Sequence, residues 1–172
     1  MTQDLVAYLA DLPKGFTAAL VAMLPIAELR GAIPWALAPP PLGGGMGWQE
    51  AYIYAVIGNI VPVIPLLLLL ERVSSALRRY PLFDRFFTWL FERTRRRSAA
   101  VERYGALGLI LFVGIPLPVT GAWTGSVAAF LFGVRFRYAF PAIVCGVLLA
   151  GVVVTLASLG VLGAVRHIFT AG

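Results

Sequence analysis

Two long apolar segments limit what this chain can fold into more than any other feature. Residues 50–72 and 137–163 carry charged side chains only at their ends, and residues 60–70 carry none at all. A helix needs about 20 consecutive apolar residues to cross the hydrocarbon core of a bilayer. Each segment meets that requirement, so the sequence predicts two transmembrane helices.

The composition supports a protein that lives in a membrane. Hydrophobic residues make up 60% of the chain, whereas soluble domains have about 45–50%. Charged residues make up only 13%, which is too little to cover a water-soluble surface. Soluble enzymes are therefore excluded, and the single Cys145 cannot form an internal disulfide. We expect one all-α integral membrane domain over residues 1–172, without enzymatic activity.

The positive charge is concentrated between the two apolar segments. Residues 71–103 contain nine arginines and four acidic residues, and so carry +5 of the net charge of +6. Under the positive-inside rule, such a stretch lies on the cytoplasmic side. Residues 74–103 are therefore predicted to form a basic amphipathic connector that lies on anionic lipid headgroups. Membrane lipids are the expected partners, and nucleic acid is not.

Two further apolar segments, residues 16–38 and 104–133, contain residues that interrupt helices. These residues are Pro25, Gly31 and Pro34 in the first segment, and Pro116, Pro118, Gly121 and Gly125 in the second. Each segment is predicted to form a re-entrant hairpin that returns to its own side of the membrane. Two ordinary kinked spans stay open as the alternative. Residues 1–15 predict a short interfacial helix.

The order of the segments indicates an internal duplication. Gly31 can be aligned with Gly121 and Gly58 with Gly146, at similar offsets of 90 and 88 residues. With the connector inside, the two transmembrane helices run in opposite directions. The chain is therefore predicted to be an inverted repeat of hairpin plus transmembrane helix, which is common among transporters. Residues 39–49 then lie outside.

Glu28 and Arg30 are the most informative residues, because ionisable side chains inside a membrane segment are costly and mark functional sites. On a regular helix, residues two apart lie on different faces. At the tip of a hairpin, however, both can point into one cavity. We expect Glu28 to exchange a proton and Arg30 to bind an anionic head group. A purely structural ion pair at a helix break is the alternative.

Other polar residues are candidates for the same substrate site. They are Asn59 in the first transmembrane helix, Thr120 in the second hairpin, and Arg135 and Arg137 just after it. Guanidinium groups can hold a phosphate through paired hydrogen bonds, although both arginines can also serve as simple cytoplasmic anchors. One histidine and one cysteine cannot build a zinc site, so no metal or cofactor is expected.

Several of these motifs together resemble a known family. The segment Pro25-Ile-Ala-Glu-Leu-Arg-Gly-Ala-Ile-Pro34, residues 55–59 and residues 116–123 are similar to the small multidrug export proteins, a family of prokaryotic membrane proteins. The Glu-x-Arg-Gly-Ala-x-Pro element within the first segment is the most specific part. The resemblance implies efflux of small hydrophobic drugs across the inner membrane by a multi-pass protein.

The arrangement also resembles the DedA family. Gly133, Arg135, Arg137 and Tyr138, followed by an apolar segment, are similar to an element of that family after its second hairpin. This resemblance implies paired re-entrant hairpins that move polyprenyl phosphate or phospholipid with proton coupling. The family's Pro-Gly-Glu element of the first hairpin is not present here in that form, and Glu28 and Arg30 would have to substitute for it.

The function predicted from the sequence is transport of an anionic lipid across the inner membrane, coupled to protons. Efflux of small hydrophobic cations is the first alternative, with Glu28 as the counter-ion. A membrane scaffold or regulator without transport activity is the second. The substrate, the coupling ion and the formation of a homo-oligomer stay open.

Overall fold

The computed structural model of the protein describes residues 13–69, 88, 104–116 and 120–170. Within these residues every regular element is helical, and none is a strand, as the all-α prediction requires. The helices are α1 (Lys14–Met23), α2 (Glu28–Leu37), α3 (Trp48–Ile60), α4 (Ala106–Gly114), α5 (Ala122–Leu131) and α6 (Phe136–Thr170). Pro118, most of the predicted interfacial helix and all but one residue of the basic connector lie outside the described residues.

Two helical stretches are long and apolar enough to cross a membrane. They are Trp48–Leu69, with 22 residues, and Phe136–Ala164, with 29 residues inside α6. The first is interrupted by a turn at residues 61 and 62, after which the chain is helical again over residues 63–69. This break follows from Pro62, whose ring excludes a normal helical hydrogen bond. The two stretches agree with the predicted number of transmembrane helices.

The remaining helices are too short to cross a membrane. Helices α1, α2 and α5 have 10 residues each and α4 has nine. Such helices are about 15 Å long, half of the roughly 30 Å hydrocarbon core. Helix α1 packs against α2 across residues 24–27, and α4 packs against α5. Each pair is therefore a short helical hairpin.

The chain divides into two compact units, of which the first is Met1–Asn59 with Gly151–Gly172. Its buried core includes Ala18, Ala36 and Ala51. Helix α3 touches α1 directly, because a Cβ atom on Gly58 would overlap the carbonyl oxygen of Ala19. Small side chains thus bring the backbones of neighbouring helices into contact, as is usual between membrane helices.

The contact at Gly58 gives a prediction about stability. Gly58→Ala is expected to destabilise the protein by about 1–3 kcal/mol, because the added methyl group has no room. Gly160→Ala is the matched control, since a Cβ atom built there has no neighbour within 4 Å among the residues that the structure describes. Thermal unfolding in detergent measures both. Equal melting temperatures for the two variants would contradict the close approach of α1 and α3.

The second unit is Ile60–Ala150. Helix α5 is buried along most of its length, and its Ser126 hydroxyl donates to the carbonyl of Ala122 at 2.7 Å. Val113 of α4 contacts two glycines: a Cβ atom on Gly125 or on Gly146 would overlap its side chain. The second hairpin and the first part of α6 therefore pack through small residues.

Three predicted helix breaks are wrong. Gly31 and Pro34 lie inside α2, and Gly125 lies inside α5. The two glycines provide space instead: a Cβ atom on Gly31 would lie 2.8 Å from that of Ala27. Pro34 removes only its own hydrogen bond to the preceding turn. The described breaks are at Pro25, between α1 and α2, and at Pro116 and Gly121, which lie outside α4 and α5.

The loop between α2 and α3, residues 38–47, folds back on the end of α2. The backbone N–H groups of Gly44, Gly45 and Met46 donate to the carbonyls of Trp35, Ala38 and Ala36 at 2.8–2.9 Å. The last carbonyls of a helix lack partners within it, so these bonds complete the end of α2 without a side chain.

Candidate functional site

Glu28 occupies the bend between α1 and α2 and is the first residue of α2. Its side chain is buried, with 5% of the residue exposed. Its backbone φ is +44°, in the left-handed region that favours glycine. Such strain costs on the order of 1–3 kcal/mol and is concentrated at functional sites. The surrounding structure therefore holds a carboxyl group in an unfavourable position.

The local sequence explains how this bend forms. A residue that precedes proline is restricted to an extended backbone, and Leu24, before Pro25, is extended with ψ 134°. Helix α1 consequently ends at Met23. Residues 25–27 form a turn, closed by a hydrogen bond of 3.0 Å from the Glu28 N–H to the Leu24 carbonyl. Helix α2 starts immediately afterwards.

Arg30 forms an ion pair with Glu28. The distance between Arg30 Nη2 and Glu28 Oε2 is 3.7 Å, and the Arg30 side chain is 31% exposed. A charge-assisted hydrogen bond is shorter, at about 2.7–2.9 Å. The contact of 3.7 Å between these two atoms is therefore an ion pair rather than a short charge-assisted hydrogen bond. The structure places both predicted residues in one site at the hairpin turn.

Asn59 lies in the last turn of α3, in the same unit as Glu28 and Arg30. It is 1% exposed. No group in the part of the chain that the structure describes donates a hydrogen bond to its Oδ1 atom. Buried polar atoms are normally hydrogen-bonded, so this oxygen is exceptional.

The other three predicted site residues belong to the second unit. Thr120 is buried, and its hydroxyl donates to the Ile115 carbonyl at 2.7 Å, which bridges the break between α4 and α5. Arg135 and Arg137 are exposed where α6 begins. The Arg137 guanidinium lies 4.7 Å from the centre of the Tyr138 ring, a cation–π contact.

Two apolar grooves along α6 in the first unit were not predicted. One has a volume of about 340 Å³ and is lined by Trp48, Tyr52, Val152, Thr155, Leu156 and Leu159. The other, of about 310 Å³, is lined by Pro34, Ala157, Ser158, Val161 and Leu162. The hydroxyls of Thr155 and Ser158 donate to carbonyls of their own helix. An almost uniformly apolar helix gives no sequence signal for such grooves.

The described residues contain no group of three or more histidine, cysteine or acidic side chains that could hold a metal ion. The candidate site is thus an ion pair at a helix break, with apolar grooves in the same unit. Such an arrangement can bind and release a proton or a charged head group.

A family model described as "putative small multi-drug export protein" matches residues 28–153. The chain belongs to this family. The match begins at Glu28 and includes Arg30, Asn59 and Arg137. Together with the two long apolar helices, the match identifies the chain as a membrane protein. No curated protein and no solved structure matches the chain, and the relationship to the DedA family stays a prediction.

Proposed function

We propose that this protein is a membrane transporter that moves an anionic lipid, with Glu28 exchanging a proton and Arg30 binding the head group. One observation carries the proposal: a buried carboxyl group, on a strained backbone at a helix break, lies 3.7 Å from a guanidinium group. Membership of an export family supports transport. The partly exposed Arg30 supports an anionic substrate.

The ion pair offers a simple way to couple the two ligands. When Glu28 is ionised, its carboxylate attracts the Arg30 guanidinium. When Glu28 takes up a proton, that attraction is lost and Arg30 can bind a phosphate instead. Release of the proton restores the ion pair and weakens the hold on the phosphate. Proton and head group are therefore bound together and released together.

The short hairpins support the proposed architecture. Helices α1 and α2 precede one candidate transmembrane helix, and α4 and α5 precede the other. Because helices of nine or ten residues reach only about half-way across a bilayer, we propose that both pairs are re-entrant. The same order of elements occurs twice, which supports an inverted repeat in the inner membrane.

Export of hydrophobic cations is the second candidate, and the family description favours it. In that mechanism Glu28 is the counter-ion of the substrate. A cation must then displace Arg30 from Glu28 and tolerate its charge nearby. Because of this electrostatic cost, we prefer an anionic lipid to a hydrophobic cation as the substrate.

The test is transport by the purified protein in proteoliposomes with an imposed pH gradient. We expect translocation of a fluorescent polyprenyl phosphate or phospholipid that depends on the gradient. Transport of a lipophilic cation alone would favour the second candidate. Transport of neither, by protein shown to be folded and inserted, would contradict both and favour a scaffold.

The predicted topology has its own test, with single cysteines at Gly47 and Ser98 in a Cys145→Ala background. Position 47 is exposed and has open space around it, whereas Ser98 lies outside the described residues. The natural Cys145 is exposed and must be removed. We expect the two cysteines to react with an impermeant reagent from opposite sides of the membrane. Reaction from the same side would contradict the inverted repeat.

A further inference from the structure

The break in the first candidate transmembrane helix leaves one backbone carbonyl without its regular helical donor, and the next residue carries a buried side-chain oxygen without a partner among the described residues. Helix α3 ends at Ile60, and residues 61 and 62 form a turn. In a continuous helix, the N–H group four residues ahead donates to each carbonyl. Pro62 has no N–H group, so the carbonyl of Gly58 lacks this donor.

The next residue in the sequence, Asn59, carries a side-chain oxygen to which no described residue donates. The Oδ1 atom of Asn59 is buried and accepts no hydrogen bond from the described part of the chain. A buried acceptor without a partner lowers stability, and an ion or an ordered water is a common explanation. The Asn59 side-chain oxygen and the Gly58 carbonyl oxygen are both acceptors, so each can bind only a hydrogen-bond donor or a cation.

The electrostatics of α3 point to the same conclusion. The carboxyl end of a helix carries a partial negative charge of about half an electron. The last turn of α3 contains no basic residue, and Gly58 and Asn59 are buried there. The helix itself therefore supplies nothing to balance this charge.

We propose that the end of α3 binds a small monovalent cation through Asn59 Oδ1 and the Gly58 carbonyl, with Na⁺ as the natural candidate. Interrupted membrane helices bind Na⁺ through such carbonyls in other transporters. A divalent ion does not suit the site, because Ca²⁺ and Mg²⁺ rely on carboxylates and both oxygens here are neutral. The proposal is independent of the proton exchange assigned to Glu28.

The test is the melting temperature of the purified protein in detergent, at constant ionic strength, as choline chloride is replaced by NaCl. We expect a saturable rise with Na⁺, because a ligand that binds only the folded state stabilises it. Asn59→Leu should abolish this rise. In choline chloride the melting temperature of Asn59→Leu should equal or exceed that of the wild type, because the substitution removes a buried polar group that lacks a partner.

Thr155→Val is the matched control, because it also removes a buried polar group, but one that is hydrogen-bonded within its own helix. It should keep the Na⁺ response.

If Asn59→Leu does not fold, Asn59→Asp provides the test, since its added negative charge should lower the half-saturating Na⁺ concentration several-fold. An unchanged melting temperature of the wild type in Na⁺ would show that the site holds only water and would overturn the proposal. A full Na⁺ response in Asn59→Leu, or an unchanged half-saturating concentration in Asn59→Asp, would also overturn it.

Discussion

Glu28→Gln is expected to eliminate the part of transport that depends on pH, while the protein stays folded. Glutamine has nearly the same volume as glutamate but cannot ionise. It is also as strained as glutamate at a φ of +44°, so the backbone contributes equally in both proteins. The substitution therefore isolates the proton-exchanging role of the carboxyl group. The measurement is lipid translocation in proteoliposomes over a range of pH values.

Glu50→Gln provides the control for this experiment. Glu50 is an exposed carboxyl group in the first turn of α3, and its loss should leave the pH profile of transport unchanged. Undiminished transport by Glu28→Gln, with the pH profile of the wild type, would remove Glu28 from the mechanism. A structural ion pair would then be the better explanation of its contact with Arg30.

The second large effect is expected at Arg30, and its direction reveals the charge of the substrate. If Arg30 binds a lipid phosphate, removal of one charge-assisted hydrogen bond costs about 1.5–3 kcal/mol, or roughly 10- to 150-fold in affinity. Arg30→Lys should restore only part of this loss, because an ammonium group cannot form the paired contacts of a guanidinium. If the substrate is a cation, Arg30→Gln should leave export intact or improve it.

The experiment must separate binding from stability, since Arg30→Gln leaves the buried Glu28 carboxylate without this partner. Glu28→Gln/Arg30→Gln removes both charges and is the proper comparison. Lys14→Gln, at an exposed position at the start of α1, controls for a general loss of positive charge. Arg135→Gln/Arg137→Gln tests the predicted role of the exposed arginines. Retained lipid transport in every variant that removes Arg30 or the Arg135/Arg137 pair would exclude the phosphate mechanism.

The sequence predicted the two long helices, but only some of the helix breaks. Proline excludes a regular helical hydrogen bond, and the chain turns at Pro25 and at Pro62, but Pro34 lies inside α2. Glycine was less informative, because it can either end a helix or let another helix approach closely. Gly31 and Gly125 have the second role. Only the three-dimensional neighbours of a glycine distinguish the two.

The candidate site could be predicted only in part. Charged residues in an apolar segment drew attention to Glu28 and Arg30, but glutamate rarely adopts a positive φ, so its strained backbone had no sequence signal. For Asn59, the sequence showed a polar residue in an apolar helix. It could not show that the amide oxygen lacks a donor, because that depends on which groups the fold brings within reach.

The loop between α2 and α3 makes the first hairpin accessible to hydrogen–deuterium exchange. A Pro-Pro-Pro-Leu-Gly-Gly-Gly sequence would normally exchange its amide hydrogens rapidly. Here the amides of Gly44, Gly45 and Met46 are bonded to the end of α2, so their exchange requires that contact to open. Exchange at these three residues therefore reports on the integrity of the last turn of α2. Movement of the hairpin during turnover can be followed there without attaching a probe to any side chain.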